Sequence, residues 1–159
     1  MDMEERIWNL LEEVPDPEIP VVSVVDLGMV RKVNVDDCAV EIEVSPTYSG
    51  CPATEVIEKS ILAKLRSQGL ESVTIRRVLS PPWTTDWISD AGRDKLSEYG
   101  IAPPAGSAGK WELLHTTPVH CPQCGGLHTT LVSEFGSTAC KAAYKCDECL
   151  EPFEYFKCI

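Results

Sequence analysis

Met3, Ile7, Leu10, Leu11 and Val14 recur at helical spacing with Glu4, Glu5, Glu12 and Glu13 between them, which predicts an amphipathic helix at the start of the chain. Pro15 and Pro17 stop it. Asp16-Pro17-Glu18-Ile19-Pro20 then forms an irregular, carboxylate-bearing approach to the first strand. Val24 to Val35 reads as strand-rich, with a break at Asp26-Leu27-Gly28 where a bulge or a close backbone approach is expected. Asp36-Asp37 marks a turn. Ala39 to Val44 alternates apolar and acidic positions, so the two strands pair as a hairpin with Glu41 and Glu43 outward, and Cys38 reads as a small, half-buried strand residue.

Val56, Ile57, Ile61 and Leu65 return to the helical period over residues 52–67, Gly69 supplies a stop, and Ser72 to Leu79 gives a third strand. Cys51 stands at the strand-to-helix junction. With Pro52 at the first helical position, Cys51 is expected at or next to the helix cap. A sulfur there faces unsatisfied N–H groups and the positive end of the helix dipole, both of which favour thiolate. Gly50 leaves room beside it. The alternative is a buried structural cysteine next to a tight turn. Asp16 and Glu18 carry a similar pair of readings, a turn whose Asp caps backbone N–H groups or a metal ligand and proton acceptor near Cys51.

Ser80-Pro81-Pro82-Trp83-Thr84-Thr85-Asp86-Trp87-Ile88-Ser89 is irregular at its prolines yet carries two tryptophans, and so folds over the sheet as a lid or offers an aromatic docking surface. Asp90 to Tyr99 follows as a short helix capped by Ser89 or Asp90 and closed by Gly100. Residues 102–109 are small and rich in Pro and Gly, and read as a linker between a domain over 1–101 and a module over 110–159. The helix, strand, strand, helix, strand order implies an α+β first domain with helices against one sheet.

Cys121-Pro122-Gln123-Cys124 and Cys146-Asp147-Glu148-Cys149 are two C-x-x-C turns 21 residues apart, with strand character at Thr129 to Val132 and Lys141 to Lys145. The gap is a little longer than the usual span of about 15–20 residues, which a longer hairpin absorbs. This is the pattern of a four-thiolate zinc ribbon, in which the zinc is structural because protein fills all four positions. A rubredoxin-like iron site is the rival, since thiolates suit iron as well. Cys140 and Cys158 are surplus to that set. They read as packing cysteines or as a second pair of accessory thiols.

Composition narrows the function. Residues 1–109 hold 10 Lys+Arg against 19 Asp+Glu and residues 110–159 hold 4 against 6, giving the net charge of −11. So acidic a chain makes a poor phosphate binder, which argues against nucleic acid as a partner. No signal peptide and no apolar run of about 18 residues is read, so a cytoplasmic protein without a membrane span is expected. In that reducing setting eight cysteines point to metal ligands or reactive thiols rather than disulfides.

Asp16-Pro17-Glu18-Ile19-Pro20, Asp26-Leu27-Gly28, Ser49-Gly50-Cys51-Pro52 and the Pro82-Trp83 to Ile88-Ser89 segment together resemble the SufT-like family of small iron–sulfur assembly factors over about residues 5–101. With Phe135-Gly136-Ser137-Thr138, Phe156-Lys157-Cys158 and the ribbon added, the whole chain resembles the PaaD-like family of bacterial phenylacetyl-CoA epoxidase systems. The resemblance implies an accessory, non-catalytic role. Cys51 matches the reactive cysteine, Asp16 and Glu18 match the acidic motif, and an iron–sulfur cluster or iron would be handed to a reductase or oxygenase component of the epoxidase. A dimer pairing two Cys51 groups would complete a carrier site. Two other readings stay open, a Cys-dependent enzyme and a structural subunit bridging epoxidase components. For the enzyme only His115, His120 and His128 are available as a base, all in or beside the ribbon.

Overall fold

The structure is a computed structural model that describes residues 1–47, 50–104 and 119–157. It divides into two compact units, Met1–Trp83 and Thr84–Ile159.

In the first unit, helix α1 (Met3–Glu12) is closed at its start by a capping box between Asp2 and Glu5. Strands β1 (Val30–Asp36) and β2 (Ala39–Val44) form an antiparallel hairpin, and helix α2 (Thr54–Ser67) carries the chain to β3 (Val73–Arg77), which lies parallel to β2. The sheet order is β1-β2-β3. Val40, Ile42 and Val44 alternate inward on β2, and Ile7 and Leu11 of α1 and Ile57, Ile61 and Leu65 of α2 complete the core. Removing a side chain such as Ile42 to its β-carbon costs about 2–5 kcal/mol in a core of this kind. Glu41 and Glu43 occupy the alternate positions, where Arg76 of β3 bridges both.

Two expectations for this unit are corrected. The strand predicted from Val24 starts only at Val30, and its register shift falls between Val30 and Lys32 rather than at Asp26-Leu27-Gly28. Side chains explain this. The Ser23 N–H donates to Asp26 Oδ2 and the Asp26 N–H to Ser23 Oγ, both at 3.0 Å, so the backbone closes locally instead of into a ladder. Val24, Leu27 and Met29 are buried all the same. Cys38, expected to be half-buried in a strand, is exposed in the hairpin turn after Asp37, whose φ of 50° sets that turn.

In the second unit a 3-10 turn (Thr85–Trp87) leads to helix α3 (Asp90–Tyr99), capped by the Ser89 hydroxyl and ended by Gly100 at φ 94°. Strands β4 (Ile101–Ala102), β5 (Thr129–Ser133), β6 (Lys141–Cys146) and β7 (Pro152–Phe156) form a sheet in the order β4-β7-β6-β5. Cys146, Phe153 and Tyr155 pack with Ala102, Val119 and Cys121 in its core. The expected linker lies outside the described residues from 105 onward. Among the described residues no helix is long and apolar enough to cross a membrane.

Candidate metal centre and cysteine cleft

Each pair of ribbon cysteines opens a tight turn. The Gly125 N–H donates to the Cys121 carbonyl at 2.9 Å, and the Cys146 N–H to the Glu151 carbonyl at 3.0 Å. These turns bring Cys121 Sγ within 3.7 Å of Cys149 Sγ and Cys124 Sγ within 3.6 Å of Cys146 Sγ, with all four sulfurs inside 4.8 Å of one another. A tetrahedron with metal–sulfur bonds of about 2.3 Å has edges of about 3.8 Å. The spacing therefore fits four-coordinate zinc. Backbone N–H groups of Gln123, Gly126 and Cys149 point at Cys121, Cys124 and Cys146 at 3.3–3.4 Å, the hydrogen bonding that ligating thiolates accept.

The thiols titrate unequally. The N–H of Cys149, outweighing desolvation and helped by that of Glu148, draws Cys146 down to about 7. At Cys149 a backbone hydrogen bond from Glu151 acts downward, but desolvation and the neighbouring thiols outweigh it and push the group up to about 12. Within the set one thiol is thus drawn toward the anionic form that binds a metal, while another holds its proton more firmly.

Cys51 belongs to a different environment. β2 ends at Val44, Ser45 Oγ donates to the Val78 carbonyl at 2.9 Å, and α2 begins at Thr54. The sequence pattern puts Pro52 inside the helix and Cys51 at its cap. Instead the Thr54 N–H closes a turn on the Cys51 carbonyl at 3.2 Å and Ala53 is the cap, with no side-chain hydrogen bond, so Cys51 lies two positions before it. Gly50 has φ 79°, a conformation that a side chain would strain, although a β-carbon would meet nothing within 4 Å. Cys51 is 9% exposed and lines an open cleft of about 370 Å³ with Pro46, Gly50, Pro52, Thr54, Glu55, Arg77 and Leu79. Arg77 is held by Glu58, Nη2 to Oε2 at 3.0 Å.

Neither Asp16 nor Glu18 is among the described residues that line this cleft. Asp16 is buried, and its Oδ1 accepts the N–H groups of Glu18 at 2.9 Å and Ile19 at 2.8 Å. Glu55 and Arg77, which the sequence pattern does not single out, are the charged groups beside Cys51. Their helical and strand positions, four residues after Cys51 and at the end of β3, are the only available signal. Of the tryptophan segment, read as a lid or an aromatic docking surface, Trp83 offers no docking surface, being buried with its indole N–H on a main-chain carbonyl. Cys140 is buried in the second unit with its sulfur 3.0 Å from Thr138 Oγ1, while Cys158 and His115 lie outside the described residues.

A mixed sheet carries the Cys51 cleft and is followed in sequence by a four-cysteine ribbon. Residues 4–76 match the family described as "Iron-sulfur cluster assembly protein", and residues 107–157 match the "PaaD zinc beta ribbon domain". A crystal structure from Bacillus anthracis, "Domain of Unknown Function DUF59", superposes with a TM-score of 0.55 at 29% identity, covering 58% of this chain and 90% of that one. The "Fe-S protein maturation auxiliary factor" of Porphyromonas gingivalis is 36% identical over 57% of this chain and 87% of its own length. Across 97% of the chain and 92% of the relative, identity reaches 53% with the Escherichia coli K12 protein named as the D component of a "Putative 1,2-phenylacetyl-CoA epoxidase". The chain belongs to the PaaD family, the D proteins of phenylacetyl-CoA epoxidase systems.

Proposed function

We propose that this chain is an accessory maturation factor of a multicomponent phenylacetyl-CoA epoxidase in aerobic phenylacetate catabolism, working in the cytoplasm. Through Cys51 it supplies or repairs the iron–sulfur cluster, or the iron, of a reductase or oxygenase component. The observation that supports the reading is the separation of thiols: four lie together at tetrahedral spacing, while Cys51, outside that group, lines a cleft of about 370 Å³, far more than a single ion or water needs. One cysteine sulfur with weak companions suits ligand exchange, because cargo held by four fixed sulfurs leaves slowly. A zinc held by Cys121, Cys124, Cys146 and Cys149 is structural and stabilises the small ribbon sheet. Two copies facing each other through Cys51 would complete a carrier site, with Asp16 and Glu18 as its acidic companions.

The test is metal and sulfide analysis of anaerobically purified protein beside cluster content of the epoxidase components in cells lacking the parent gene. Iron and sulfide are expected to vanish in Cys51→Ala with zinc retained, and zinc to vanish in Cys146→Ala. Cells carrying Cys51→Ser should accumulate cluster-poor client. Zinc alone in the wild type, with client clusters untouched by Cys51→Ser, would remove the cargo from the proposal.

A further inference from the structure

The four-sulfur group is open to solvent at Cys124. Cys121 and Cys146 are buried and Cys149 is half-buried, whereas Cys124 is exposed. Next to Cys124 stands a ligand of another kind. A β-carbon built on Gly126 would lie 1.9 Å from Glu148 Oε2 and 3.1 Å from Cys124 Sγ, so the carboxylate oxygen and the sulfur crowd onto the same side of this glycine. The absence of a β-carbon at 126 leaves room for both. The carboxylate is held there only loosely, accepting the His128 N–H at 3.5 Å with the His128 ring Nδ1 at 3.7 Å, and both side chains are well exposed. A carboxylate oxygen binds zinc at about 2.0–2.2 Å and carries the same single negative charge as a thiolate.

We propose that Glu148 is a reserve ligand for the metal of the ribbon. Cys124 Sγ releases the metal, Glu148 Oε2 takes the vacated position, and the freed thiolate accepts a proton from solvent. One metal–sulfur bond breaks and one metal–oxygen bond forms, so coordination number and ligand charge are conserved and no electrons move. The ribbon thereby presents an exposed thiol without giving up its metal or its fold. The exchange is independent of Cys51.

The experiment uses the zinc-loaded full chain and iodoacetamide, with modified peptides mapped by mass and released zinc followed with a metallochromic chelator. In the wild type, Cys124 should be alkylated first of the four ligands while zinc stays bound. In Glu148→Gln its alkylation should slow about tenfold, the scale on which groups around a metal alter its binding, and should expel zinc. Equal rates in the two proteins, or zinc loss on alkylation of the wild type, would overturn the proposal. Cobalt(II) gives a second readout. Cys124→Ala should still bind it, with a weaker thiolate charge-transfer band, and lose it when Glu148→Gln is added. Failure of Cys124→Ala to bind cobalt, or equal binding by the single and double variants, would also overturn it.

Discussion

The indole N–H of Trp83 donates to the main-chain carbonyl of Leu27 at 2.8 Å, joining positions 56 residues apart. Leu27 sits in the turn-rich stretch before β1, and both side chains are buried. Trp83→Phe keeps most of the apolar surface but removes this donor, and is expected to cost about 1–3 kcal/mol. Trp83→Ala adds the loss of packing and should cost about 3–5 kcal/mol. The urea midpoint of the first unit, at unchanged m, measures both.

Asp16 separates a structural from a charge requirement. Its Oδ1 takes the N–H groups of Glu18 and Ile19, so Asp16→Ala should destabilise the first unit by about 1–2 kcal/mol, and Asp16→Asn, which keeps an acceptor, by less. If Asp16 also serves the cargo of Cys51, Asp16→Asn will lower client cluster content at near-normal stability. Thermal unfolding and cluster analysis of the same preparations distinguish the two.

Glu154 organises the Phe135-Gly136-Ser137-Thr138 loop. Its carboxylate accepts the Ser137 N–H at 2.8 Å and the hydroxyl at 2.9–3.0 Å, and lies 3.6 Å from the buried ammonium of Lys141. Desolvation alone would raise its pKa, but the Ser137 donors and then Lys141 outweigh it and hold the group below the usual 4.5. A depressed carboxylate stabilises the fold fully above the unfolded value and loses that effect as pH falls through the folded one. Glu154→Gln should therefore cost about 1–3 kcal/mol at neutral pH, with the gap to wild type closing below about pH 4.5. A gap that stays constant on acidification would contradict the assignment.

Stripping the metal with a chelator should melt the ribbon sheet while the first unit keeps its own. Hydrogen exchange is expected to lose protection in β6 and retain it in β2. Reloading with zinc should release protons, because Cys149 at about 12 arrives protonated. The yield should be higher at pH about 6 than at pH about 8, since Cys146 near 7 is also protonated in the more acidic buffer. A pH indicator in weak buffer reads the stoichiometry.

Patterns with a strong period were legible in the sequence: the alternation of Val40, Ile42 and Val44, the helical spacing through Ile57, Ile61 and Leu65, and the paired C-x-x-C turns. What escaped depended on side chains that capture the backbone. Ser23 and Asp26 turn an apolar run away from the sheet, and Pro52-Ala53 delay α2 so that Cys51 falls before the cap rather than on it. Glu55 and Arg77 could not be recognised beside Cys51 because each looks like an ordinary exposed charge until α2 and β3 are placed. Two-residue β4 carries no period at all.

Short as it is, β4 fixes where this chain can be cut. Ile101 and Ala102 are buried and pair in parallel with Glu154 and Tyr155 of β7, and Arg93 of α3 reaches the carbonyls of Thr85 and Pro104. A ribbon fragment begun at residue 107, where the match to the ribbon family starts, would retain all four cysteines yet lack this strand. One margin of β7 would then carry bare N–H and C=O groups beside uncovered apolar surface, a template for sticking to other chains. The piece that stays soluble with its metal should begin near Thr84.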